Sequence, residues 1–444
     1  MLIFALCLIV PFSVQAKPFQ NEESISSPNV AVYNTENDVF VYRRNADQTV
    51  LPSSTAKIMT GILALEHFEG RLDTKLTVPK AALRGLEGSA VLNLKADEEI
   101  PVRDLLYAML TAGMNDAANV LAIAIGGSLQ DFTDMMNRRA EELGAYNTRY
   151  MNPTGFDNAA AYTTAEDTAR IAAHAYRNET FMQMCSVRAW TVGATNMHAA
   201  VTVYTRNMLI SPQSEYFYSA ARGMCYGYTE TGGCALVSAS DIGTYPYVCV
   251  VLGGKKDAEG SVGAYYKDVK RLLAWADDNF AERKLIDASR IVAELPVRAG
   301  RSDHVLITPE SAVYAFLDAD ADLASLNYTV ELDYDSLTAP VRKDGIVGSL
   351  TLVLDGNPIA SAHLVTKTEV RRSPGGALML SLSNTLKSPL FLIASSILML
   401  LAAWILYNKY YKPKKGKYRH EKTRNQQAGN HQEGQGCMDR PHRK

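Results

Sequence analysis

The 444-residue chain predicts an α+β domain with one antiparallel sheet flanked by helices, followed by a small all-β domain and a single C-terminal transmembrane helix. Three observations carry this expectation. Two β-rich runs near the N-terminus precede a long helix-rich stretch, which ends in three more β-rich runs and a closing helix. Beyond about residue 291 the texture changes to short alternating runs without a helix-length pattern. Near the C-terminus stands an 18-residue stretch without a charged side chain, Leu390 to Tyr407.

The first β-rich runs, Asn29–Tyr33 and Val39–Tyr42, flank the turn-rich Asn34-Thr35-Glu36-Asn37-Asp38 and read as a hairpin. Ser54 to Phe68 has helical apolar spacing at Ile58, Ile62 and Leu65. Val102 to Ile125 is helical with a break near Gly113. Ser128 with Asp131 forms a capping-box pattern opening a helix to about Leu143, and Thr164 with Asp167 opens another. Ala221–Tyr228, Cys234–Ala239 and Tyr247–Leu252 are β-rich, and Val262–Phe280 closes the region as a helix with Val269, Leu272, Leu273 and Ala276 on one face. A sheet built from both ends of this region follows. Between Ile291 and Val370, runs such as Val305–Ile307, Tyr328–Leu332 and Ser349–Leu354 are split by turn residues, Asp355-Gly356-Asn357 among them.

Both termini carry an address. Leu2 to Val10 is apolar and is followed by Pro11 and the small-residue site Val14-Gln15-Ala16, so residues 1–16 read as a secretory signal, though no Lys or Arg precedes the run. Leu390–Tyr407 reads as a membrane span of about 27 Å. The 17 residues after it hold eight basic side chains and the ten before it hold one, Lys387, which places the tail in the cytoplasm and the body outside. The tail from Asn408 carries 11 basic against 3 acidic residues, whereas the whole chain has a net charge of −2, so the body is acidic. That balance argues against nucleic-acid binding. The expected organisation is therefore a signal at 1–16, a catalytic-type domain at 17–285, a β domain at 290–372, a juxtamembrane linker at 373–389, the span at 390–407 and a basic tail at 408–444.

The six cysteines form no C-x-x-C pair, and His67, His174 and His198 are isolated, so no metal site is expected. Cys225 and Cys234 fall on neighbouring expected strands, where a disulfide and two free thiols are both open.

Ser54-Thr55-Ala56-Lys57 matches S-x-x-K. Positions i and i+3 share a helix face, so Lys57 reaches the Ser54 hydroxyl, and a desolvated lysine can serve as its base. A chain of this length holds about one or two such tetrapeptides by chance, most of them solvated helix starts. The context is more specific. Pro52 to Thr60 resembles the nucleophile segment of the penicillin-binding D-alanyl-D-alanine carboxypeptidases. Asn152-Pro153-Thr154-Gly155-Phe156-Asp157 with Tyr162 to Asp167, Leu105 to Ala118, and Gly227-Tyr228-Thr229 before Gly232-Gly233-Cys234 are similar to further segments of that family, in its order, between about residues 28 and 282.

The resemblance implies acyl transfer on peptidoglycan stem peptides without metal or organic cofactor. Ser54 would attack the carbonyl between the terminal D-alanines, Lys57 would accept its proton, Asn115 would belong to the second motif, and the backbone N–H groups of Ser54 and Tyr228 would hold the oxyanion. The sequence departs at two points. The family's Ser-x-Asn is Gly113-Met114-Asn115 here. Its Lys-Thr-Gly is Cys225-Tyr226-Gly227, so the carboxylate-binding lysine and threonine are absent; Arg222, on the opposite strand face, does not replace them. A charge-assisted bond to a carboxylate contributes roughly 1.5–3 kcal/mol, and a catalytic proton relay about 10²–10⁴-fold. Two readings follow: a serine-type carboxypeptidase with weak or altered activity and weak β-lactam binding, or a catalytically inactive cell-wall-binding relative. A class A β-lactamase is a third and weaker reading, because no deacylation-glutamate segment stands out. Outside catalysis, Cys225 reads as a small buried hydrophobe.

Overall fold

The computed structural model describes residues 24–241 and 245–410. The expected signal at 1–16 and the tail beyond Tyr410 lie outside the described residues. The chain forms two compact units. One runs to Ala288 and adds Ser311–Thr329 and Leu350–Ala362; the other comprises Ser289–Glu310, Val330–Ser349 and the chain from His363 on.

The first unit opens with the hairpin strands β1 (Asn29–Asn34) and β2 (Val39–Arg44). Helix α1 (Ala56–His67) follows a short 3-10 turn, Ser53–Thr55. Two three-residue strands, β3 (Lys75–Thr77) and β4 (Glu99–Pro101), pair beside α2 (Val102–Ala112). Helices α3 (Asn115–Gly126), α4 (Leu129–Glu142), α5 (Ala165–Tyr176) and α6 (Glu179–Ser186) come next. Ser128 and Thr164 cap α4 and α5 by accepting from the N–H of Asp131 and Asp167, as the capping patterns predict. A second hairpin, β5 (Ala189–Val192) and β6 (Val201–Tyr204), leads to β7 (Ala221–Thr229), β8 (Gly233–Ser240), β9 (Tyr247–Gly254) and α7 (Gly263–Asn279).

The central sheet has the order β2-β1-β9-β8-β7, antiparallel throughout, so both ends of the sequence meet at β1 and β9. Alternate residues of these strands enter two cores. Ala31, Tyr33, Val248 and Val250 pack with Ile58, Met59, Leu105, Met109 and Phe132 of the helices. Val30, Val32, Cys249 and Val251 pack under Val269, Leu272 and Leu273 of α7. Burial on both faces explains why β9 reads as a continuous apolar run rather than an alternating one. The strand order leaves β7 at one edge of the sheet, free to border a cleft.

Later strands are β10 (Phe280–Ile286), β11 (Ala293–Arg298), β12 (His304–Pro309), β13 (Val313–Asp318), β14 (Asn327–Leu332), β15 (Leu337–Thr338), β16 (Ile346–Leu354) and β17 (Asn357–Thr366). In the first unit β10 pairs with β13. In the second, β11 pairs with β12 and with β15, and β12 also pairs with the end of β17. The second unit ends in two helices, α8 (Pro374–Lys387) and α9 (Pro389–Tyr410). The 373–389 connection thus holds a helix of its own. Helix α9 contains the charge-free run, is about 33 Å long, and has no buried residue.

Candidate active site

The S-x-x-K segment is shaped by a contact with a distant loop. Ser53 adopts a left-handed φ of 45°, and Thr55 donates its hydroxyl to the Pro52 carbonyl at 2.6 Å, turning the chain into α1. Gly155 lies against this bend with a φ of 78°; a Cβ at residue 155 would overlap the Ser53 carbonyl oxygen. The Gly155 loop is held by Asn152, whose Oδ1 accepts from the N–H groups of Thr154, Gly155 and Phe156 at 2.8–3.2 Å. Thr60 of α1 donates to the Pro153 carbonyl at 2.7 Å. Asn152 to Phe156 thus acts as a brace.

Lys57 lies on the first turn of α1, 4% exposed. Its Nζ donates to the Thr154 carbonyl at 2.6 Å and stands 3.4 Å from Ser54 Oγ. Burial pulls its pKa from 10.5 down to about 8; Cys225 opposes the shift and the positive charge of Arg206 adds to it. The i, i+3 spacing therefore yields a partly exposed hydroxyl beside an amine that is substantially neutral at mildly alkaline pH.

Strand β7 closes the other side. A Cβ at Gly227 would overlap Ser54 Oγ, so the third-motif glycine is required by the hydroxyl itself. Cys225 is buried and donates its thiol to the Ser54 carbonyl at 3.1 Å. Burial pushes this thiol up to about 11, partly offset by Lys57, so it brings no negative charge at neutral pH. Tyr226 borders the cleft while its ring stacks on Tyr266 of α7, with centroids 5.6 Å apart. The Tyr228 ring lies under Lys256, 4.2 Å from Nζ to centroid. Thr229 donates to Asp157 at 2.8 Å and accepts from the Gly232 N–H at 2.9 Å.

The second-motif segment sits at the junction of α2 and α3. Gly113 ends α2 in the left-handed region, φ 76°, with its N–H on the Met109 carbonyl. A Cβ there would meet nothing within 4 Å. Asn115 opens α3, is buried, and its Oδ1 has no hydrogen-bond partner among the described residues. Asp116 beside it braces the preceding loop by accepting from Leu92 and Leu94 at 2.9 and 3.1 Å.

Lys57, Gly113, Cys225 and Tyr226 border one narrow cleft together with Arg206. Arg206, just after β6, is absent from the sequence reading. The β5–β6 hairpin that brings it there is marked in the sequence only by two four-residue runs, with Trp190, Val192, Val201 and Val203 on one face, and nothing in that local pattern says which cleft Arg206 enters. Arg222 is engaged by Asp241 at 2.8 Å. Cys225 pairs in register with Val237 and Cys234 with Tyr228. The two cysteines enter different cores, and all four described cysteines are free thiols. Among the described residues no group of three or more His, Cys, Asp or Glu converges as a metal site.

A family model described as D-alanyl-D-alanine carboxypeptidase matches residues 15–256, and one described as the penicillin-binding protein 5 C-terminal domain matches residues 280–372. The chain is 25% identical over 334 residues to the D-alanyl-D-alanine carboxypeptidase DacF of Bacillus subtilis, covering 75% of this chain and 83% of that one. It is 26% identical over 369 residues to DacA of Haemophilus influenzae, covering 81% and 90%. Penicillin binding protein 5 from Haemophilus influenzae superposes with a TM-score of 0.61 at 24% identity, covering 78% of this chain and 98% of that structure. A Streptomyces K15 DD-transpeptidase variant gives 0.51 at 27% identity, covering 56% and 97%. The first of these structures shares the mixed α+β arrangement with its C-terminal β domain.

Proposed function

Because the chain belongs to the D-alanyl-D-alanine carboxypeptidase family, we propose that it removes the terminal D-alanine from peptidoglycan stem peptides through an acyl-enzyme on Ser54, with a rebuilt carboxylate site. The observation that carries the reading is Lys57: a buried amine of lowered pKa, 3.4 Å from the Ser54 hydroxyl. A buried lysine is costly unless it has a role. Neutral Lys57 takes the Ser54 proton as Oγ attacks the carbonyl between the two D-alanines. The backbone N–H groups of Ser54 and Tyr228 hold the oxyanion. The amine of D-alanine leaves with a proton, and water releases the shortened peptide. Asn115 presents its amide at the second-motif position. No metal or organic cofactor takes part.

The substrate carboxylate needs a cation that Cys225 does not provide. Arg206 borders the same cleft and carries one. The alternative is a non-catalytic relative that binds cell-wall peptides, and the loss of the motif lysine and serine at Cys225 and Gly113 favours it. Incubating the full-length protein in detergent with a pentapeptide ending in D-Ala-D-Ala separates the two. Release of D-alanine that disappears in Ser54→Ala supports the enzyme; binding without release supports the alternative.

The pH profile is a further test. With Lys57 ionising near 8, its neutral fraction rises from about a tenth at pH 7 to about nine tenths at pH 9. The rate of Ser54 acylation should climb nearly tenfold across that window and then level off. A flat profile would remove Lys57 as the base.

The same proposal places α9 across the membrane, with the body outside and the basic tail inside, on the strength of the charge asymmetry around the helix. Protease added to intact spheroplasts should digest the body and spare an epitope placed after Lys444. A protected body would reverse the orientation.

A further inference from the structure

The cleft beside Ser54 carries positive charge and no counter-charge. It measures about 20 Å³, room for one particle of water's size or for the end of a larger group. Lys57 borders it from α1, buried to 4% exposure and, with its pKa near 8, mostly ammonium at pH 7. Arg206, itself exposed, adds a second positive charge at the border. Among the described residues no Asp or Glu borders the cleft. Its other titratable groups, Cys185 of α6 and Cys225 and Tyr226 of β7, are neutral at pH 7, because burial raises all three. A buried ammonium with no carboxylate beside it is an unbalanced charge.

A buried donor belongs to the same cleft. Asn207 borders it and is 4% exposed. It caps the short 3-10 turn Met208–Ile210: its Oδ1 accepts from the Leu209 N–H at 3.0 Å, which fixes the amide. Its Nδ2 is buried and has no hydrogen-bond partner among the described residues. The neighbouring donors are committed elsewhere. Thr111 donates its hydroxyl to the Met184 carbonyl at 2.9 Å, Cys185 its thiol to the Gly223 carbonyl at 3.2 Å, and Cys225 its thiol to the Ser54 carbonyl at 3.1 Å. An amide donor kept from water is costly until an acceptor reaches it.

We propose that the cleft is a halide site: one chloride ion accepts from Asn207 Nδ2, lies against the Lys57 ammonium and the Arg206 guanidinium, and holds Lys57 protonated. Three features select this ligand. Two cations and an N–H donor call for an anion, no bordering carboxylate opposes its charge, and the volume suits a single atom. The substrate carboxylate meets the same Arg206, so substrate displaces the ion and frees the base. That consequence rests on the acyl-enzyme reading of Ser54; the site itself does not.

Two measurements on the full-length protein in detergent separate the site from its consequence. Crystals grown in sodium bromide locate the anion by its anomalous scattering. A bromide peak within hydrogen-bond reach of Asn207 Nδ2 supports the site. Bromide at exposed lysines alone would be an adventitious ion only, and would overturn it. In solution, labelling of Ser54 by a fluorescent penicillin is followed against pH in sodium chloride and in sodium gluconate of equal ionic strength. Chloride should move the midpoint of the profile upward, because an anion beside Lys57 favours the ammonium, and should slow labelling at pH 7 by about tenfold. Asn207→Asp keeps the acceptor for the Leu209 N–H but sets a negative charge against the anion, so the difference between the two salts should vanish in it. A chloride effect that survives in Asn207→Asp would overturn the assignment of Asn207. Equal midpoints in both salts, with Ser54 still labelled, would overturn the hold on Lys57 and leave the acyl-enzyme reading standing. Bromide at Asn207 with Ser54 unlabelled in either salt would support the site and overturn that reading.

Discussion

Replacing Lys57 by methionine is expected to lower the rate of Ser54 acylation by about 10²–10⁴-fold, the usual loss on removing a general base, while leaving the protein folded. The second half of that expectation follows from burial. Keeping a protonated lysine at a site where its pKa is near 8 costs about 3 kcal/mol relative to the unfolded chain. By sign, that cost is present below pH 8 and is relieved as the pH rises toward the unfolded value. Methionine removes the cost but leaves the Thr154 carbonyl without its 2.6 Å donor, a penalty of about 1–3 kcal/mol. The two offset, so thermal stability should stay within a few degrees of wild type while acylation collapses. The measurement is the second-order rate of labelling by a fluorescent penicillin, with Ser54→Ala as the zero and a melting curve for each variant. A Lys57→Met protein that labels within a few-fold of wild type would mean that another group takes the proton.

The second large effect concerns the carboxylate site. Penicillins carry the same carboxylate as the terminal D-alanine. Introducing Cys225→Lys with Tyr226→Thr should therefore raise the labelling rate by about one to two orders of magnitude, the kinetic equivalent of 1.5–3 kcal/mol. The new ammonium would also stand near Lys57, and like charge lowers the pKa of a lysine further, adding to the rate at neutral pH. In the wild-type background Arg206→Gln should slow labelling by about tenfold. In the restored background the same change should matter less, because the lysine shares the task. Equal effects in both backgrounds would show that Arg206 does not serve the carboxylate. Adding Gly113→Ser meets open space but also a φ of 76°. Any relay it restores comes with a stability loss of about 1 kcal/mol.

Local chemistry was legible before the structure. Ser128 with Asp131 and Thr164 with Asp167 announce their helices through short-range capping, and both caps form. The Ser54–Lys57 pairing follows from helical spacing alone. What depended on long-range placement was not legible. Arg206 reaches the cleft only through a hairpin of two four-residue strands, whose local alternation does not say where the following residue lies. Helix α6 is short and has a modest apolar face, with Phe181 and Met184 among its few buried side chains. Helix α8 was hidden in a linker because its large apolar side chains are exposed rather than set against a core. Whether Cys225 and Cys234 pair was undecidable from spacing. The strand register decides it by sending them to opposite faces.

The brace behind Ser53 has a consequence for the order of events during folding. The contacts that hold the Ser54–Lys57 pair in place span great lengths of chain: Lys57 to Thr154 bridges 97 residues, and Cys225 to Ser54 bridges 171. Such closures are entropically late, since the intervening loops must be organised before the contacts repay them. A chain emerging from synthesis therefore carries its serine and lysine early, on one helix, yet has no working pair until Gly155 has arrived beneath Ser53 and the edge strand has docked against the hydroxyl. On the acyl-enzyme proposal, any reactivity of Ser54 would be withheld from every partly folded form and would switch on only with the closing of the whole domain.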